Sequence, residues 1–69
     1  MEILQLKKHL TYLIEKYIVH DEDKKYLLKK INKQGEPKVK YFLAELDKLG
    51  KQIEEKDSSV IKEIVFYFV

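Results

Sequence analysis

Eight residues in the middle of this 69-residue chain have the chemistry to meet a polyanion: Lys29, Lys30, Lys33, Lys38, Lys40, Tyr41, Ala44 and Lys48. Advancing about 100° per residue along a helix puts Val39, Phe42, Leu43, Leu46 and Leu49 in one sector and Lys40, Tyr41, Ala44 and Lys48 opposite them. Such a strip suits a helix lying in the major groove of DNA: lysines reach phosphate or guanine, and the small alanine permits close approach. Lys29, Lys30, Lys33 and Lys38 would grip the nucleic-acid backbone. The competing reading is that these lysines only solvate helix faces.

The charge distribution supports an anionic partner. Between Lys24 and Lys40 stand seven lysines and one acid, Glu36, so this stretch carries +6 within a chain of net charge +2. A basic segment in a nearly balanced protein gains by releasing counterions from phosphate. All fourteen basic side chains are lysine. Without the guanidinium fork that recognises guanine through two hydrogen bonds, weak or shape-based binding is more natural than tight sequence reading.

Other chemistries find little material. His9 and His20 are far apart in sequence and there is no cysteine, so no metal site is expected. Asp21-Glu22-Asp23 lacks the glycine and distal glutamate of a calcium loop and reads as a helix cap. There is no glycine-rich phosphate loop and no Ser or Cys in a nucleophile context, so no catalytic residues, no cofactor and no enzyme activity are expected. The absence of cysteine, of an apolar run of membrane-spanning length and of a signal-peptide core leads to the expectation of a cytoplasmic protein with no membrane partner.

The elements that position these residues follow from apolar spacing, and the length fits one small domain spanning residues 1–69. Ile3, Leu6, Leu10, Leu13, Ile14, Tyr17 and Ile18 form one stripe of a helix over 3–19. Asp21-Glu22-Asp23 caps a second helix over 22–33, with Leu27, Leu28 and Ile31 inward and Tyr26 at the margin. Gly35 suits the positive φ of a residue just past a helix end, and Pro37 suits the first turn of a third helix reaching residue 49.

The last ten residues, 60–69, are all β-branched or aromatic except Lys62 and Glu63. This favours a return strand over 64–68, paired with residues 52–55 across a turn at Asp57-Ser58-Ser59. The fold class is then α+β, three helices followed by a C-terminal β-hairpin. The alternative is an all-α bundle of three or four helices, since Val60, Ile61, Ile64, Val65 and Phe68 also fall at helical spacing. That version leaves Phe66, Tyr67 and Val69 without an obvious place in a monomer.

Residues 37–50, with Phe42, Leu46, Leu49 and Gly50, followed by Ile53 and the apolar strand, resemble the winged-helix superfamily. One extra residue separates Gly50 from Ile53 relative to the commonest spacing. The resemblance implies a helix-turn-helix DNA-binding protein acting in transcription regulation, with the third helix as recognition element and Lys51, Lys56 and Lys62 near the wing. Glu45-Leu46-Asp47 also resembles the core of small sporulation-kinase phosphatases, but Leu43 and Ala44 stand where that family has Ser and Gln, so its activity is not carried over. The alternative function is a non-enzymatic protein–protein interaction module or helical homodimer, pairing through the first helix or the aromatic segment Phe66-Tyr67-Phe68.

Overall fold

In the computed structural model, residues 2–33, 35, 37–48 and 52–68 are described. The first helix, α1, spans Ile3–Tyr17 and buries Leu6, Leu10, Leu13 and Ile14, the three- and four-residue repeat that its sequence carries. It ends two residues before the expected boundary. Ile18 turns to extended backbone at ψ 117° while its N–H still bonds the Ile14 carbonyl at 2.9 Å.

The second helix, α2, covers Asp21–Ile31, with His20 at the N-cap. Asp21, Glu22 and Asp23 occupy the first turn instead of capping it, where their charges oppose the positive end of the helix dipole. Asn32 closes α2, its N–H bonded to the Leu28 carbonyl at 3.1 Å. Gly35 has φ +92°, but lies beyond the cap and not directly at it. Pro37 is buried just ahead of the N-cap Lys38, and α3 runs Val39–Asp47 with Val39, Phe42 and Leu46 inward. The expected contributions of Leu49, Gly50 and Lys51 fall outside the described residues.

The C-terminal β-hairpin does not form. Glu55–Phe68 is one helix, α4, and no strand occurs among the described residues, so the α+β winged-helix expectation is overturned in favour of the all-α bundle. The reason is visible in what the tail buries. A strand would send Ile61 and Ile64 to opposite faces, whereas a helix turns Asp57, Val60, Ile61, Ile64 and Phe68 toward the same core. The intrinsic β preference of Val and Ile spans only about 1 kcal/mol. Fully burying one such side chain is worth about 1.5–3 kcal/mol, so tertiary packing prevails.

The first turn of α4 is fixed by its own hydrogen bonds and by α1. The Glu54 carbonyl accepts the N–H groups of Asp57 at 3.0 Å and Ser58 at 2.9 Å. Asp57 is only 2% exposed and meets Lys16 and Tyr17 on α1. Helix α1 touches each of the other three helices and α4 packs also on α3, around a core that includes Leu10, Leu13, Ile31, Phe42 and Ile64. The molecule measures 28 × 27 × 16 Å.

Candidate functional site

Two concave surfaces flank α3, and six of the eight residues singled out by sequence are divided between them. The first lies at the corner where α2 gives way to α3. It is a cleft of about 340 Å³ rimmed by Lys30, Lys33, Lys38 and Gly35, with Pro37, Tyr41 and Phe42 behind them. Pro37 and Phe42 are buried, so they form a firm apolar floor.

Lys30 is the best-positioned cation of this corner. Its Nζ lies 4.4 Å from the centre of the Tyr41 ring and 4.8 Å from that of Tyr26, within the range of cation–π attraction. The nearby Tyr26 hydroxyl holds the Lys30 ammonium above its ordinary pKa, and the same ammonium draws the Tyr26 phenol below its own. Burial pushes Tyr41 the other way, upward, so its hydroxyl stays neutral at physiological pH. Among the described residues, the ion pairs involve Lys16, Lys48 and Lys56 and none of the three cleft lysines.

The second surface is a groove of about 610 Å³ between α3 and α4. Leu43, Ala44, Ile53, Ile61 and Val65 make it apolar, while Lys40 and Asp47 stand near its two ends. Past the groove-lining Val65, α4 carries Phe66 and Tyr67 into solvent, their rings edge to face with centroids 5.1 Å apart.

The outward strip expected on the third helix is thus split by its neighbours. Lys30, Lys33, Lys38 and Tyr41 come together at the cleft. Lys40 and Ala44 turn instead to the groove. Lys29 is exposed on α2 and lines neither surface. Lys48, just past α3, pairs with Glu45 at 3.2 Å. Of the lysines placed near a wing, Lys56 and Lys62 lie on α4, and Lys51 falls outside the described residues. No hairpin flanks α3, so the recognition-helix geometry that the winged-helix resemblance implied is missing its second half.

Sequence reasoning missed the polar network of Lys16, Tyr17, Glu54 and Asp57 that ties α1 to α4. A signal for it was present: Asp57 stands seven residues before Ile64, in phase with the buried face of its helix. The groove was missed because its apolar lining belongs half to a segment read as a strand. Among the described residues no grouping of His, Cys, Asp and Glu is suited to a metal ion, and no helix is long and apolar enough to cross a membrane. Comparison with protein-family models, with curated proteins and with solved structures finds no match to this chain.

Proposed function

We propose that this chain is a non-catalytic interaction module that pairs with a second copy of itself through α4 and the α3–α4 groove. The observation that carries the reading is Phe66, 80% exposed and directed away from the core. Large apolar rings held in water beside an apolar groove are the kind of surface on which interfaces are anchored. Pairing through the stripe of α1 loses its support, because Leu6, Leu10, Leu13 and Ile14 are spent on the core of the chain itself.

A second copy is the occupant that the charges favour. A two-fold contact needs a surface that complements itself. Lys40 and Asp47 are about two helical turns apart along the groove, so a two-fold axis across it brings each lysine to the aspartate of the other copy. Val65, which lines the groove, and the exposed Phe66 next to it in the chain then contribute apolar surface to the contact.

Sedimentation velocity over a concentration series tests this. The weight-average mass should rise toward that of a dimer, and Val65→Glu or Phe66→Glu should hold the chain monomeric with its helical circular dichroism unchanged. A wild-type chain that stays monomeric up to about 1 mM, a limit of about 4 kcal/mol of association, would overturn the reading.

A further inference from the structure

We propose that the cleft at the α2–α3 corner binds a phosphate monoester carrying a flat apolar body, the chemistry of a nucleoside monophosphate. Three features converge on this ligand class. Lys30, Lys33 and Lys38 surround one opening, and none of them is in an ion pair among the described residues. Three like charges around one opening favour an anion, and a phosphate monoester brings about −1.5 to −2 at pH 7.

Lys30 is also held in place before any ligand arrives. Its ammonium rests against the Tyr41 and Tyr26 rings at 4.4 and 4.8 Å, so part of the side-chain freedom that binding would cost is already lost. The third feature is the wall. The half-buried Tyr41 ring stands beside the cations, backed by the buried Pro37 and Phe42, the Phe42 ring lying edge-on to Tyr41 at 5.6 Å. Inorganic phosphate would engage the lysines alone and a nucleoside the wall alone. The cleft volume of about 340 Å³ suits a small ligand that does both.

This inference is independent of self-association, which uses the other side of α3. It is tested by titrating the protein at low salt with adenosine 5′-monophosphate, inorganic phosphate and adenosine separately, following backbone amide shifts. The monophosphate should move the amides of Lys30, Gly35, Lys38 and Tyr41 saturably, at least about tenfold more tightly than either fragment, and added salt should weaken it. Lys30→Met and Lys38→Met should each weaken binding about tenfold while Lys8→Met leaves it unchanged. The proposal is overturned if the monophosphate gives no saturable shifts at about 10 mM, if either fragment binds as tightly, if the cleft variants bind like wild type, or if the shifts spread equally over the lysines of α1 and α4.

Discussion

The ammonium of Lys16 on α1 lies 2.8 Å from the carboxylate of Asp57 on α4, a contact between residues 41 positions apart. The same ammonium donates to Glu54 at 2.8 Å and to the Tyr12 hydroxyl at 3.1 Å, so its three N–H bonds each have an acceptor. Asp57 also accepts the Tyr17 hydroxyl, whose oxygen receives the Glu54 backbone N–H at 3.0 Å. Burial alone would raise the Asp57 pKa. The hydrogen bonds from Lys16 and then Tyr17 outweigh it and hold that carboxyl at about 2.

Acid should therefore weaken the fold in a defined window. The folded pKa of Asp57 lies below its unfolded value of about 3.9. The stability contributed by the network is present above that value and is lost as pH falls toward about 2. Urea midpoints measured from pH 7 down to pH 2 should show this loss. Asp57→Asn should be less stable at neutral pH and lose less between about pH 4 and 2. Tyr17→Phe should also lower neutral stability, since it leaves the Glu54 N–H without its acceptor. An Asp57→Asn profile parallel to wild type would contradict the assignment.

Truncations along α4 should separate its two sides. Ile64 is fully buried, so Ile64→Ala should cost about 2–5 kcal/mol in chemical denaturation. Phe66→Ala, on the exposed side, should change the stability of the dilute monomer by no more than about 0.5 kcal/mol. If the tail were a strand, this contrast would vanish, because Ile64 and Phe66 would share one face.

Gly35→Ala isolates a backbone effect. A Cβ at this position meets nothing within 4 Å, but φ +92° is unfavourable for an L side chain. The variant should lose about 1–2 kcal/mol in urea denaturation with an unchanged helical spectrum.

The helices were legible wherever residue type and spacing agreed on a single apolar stripe. For α1, Leu6, Leu10, Leu13 and Ile14 specify the buried face by spacing alone, and Val39, Phe42 and Leu46 do so for α3. The tail was misread because its residue types and its spacing disagree. Val60, Ile61, Ile64 and Val65 prefer strands as isolated residues, while the contact that settles the matter, Asp57 with Lys16, spans most of the chain. The cationic corner was partly legible, since the lysines between Lys24 and Lys40 are dense in sequence. That Tyr41 would turn toward Lys30 and Lys40 toward α4 depends on how α2 and α4 are placed around α3, which periodicity within α3 does not encode.

The unequal fastening of the helices has a mechanical consequence. Helix α1 sinks four residues into the interior, whereas α4 is pinned by Ile64 and by a clasp of charged and hydroxyl groups at its first turn. Unclasping that turn would leave α4 held by Ile64 and its half-buried neighbours Val60, Ile61 and Phe68, so its first turn is where opening of this helix is expected to begin.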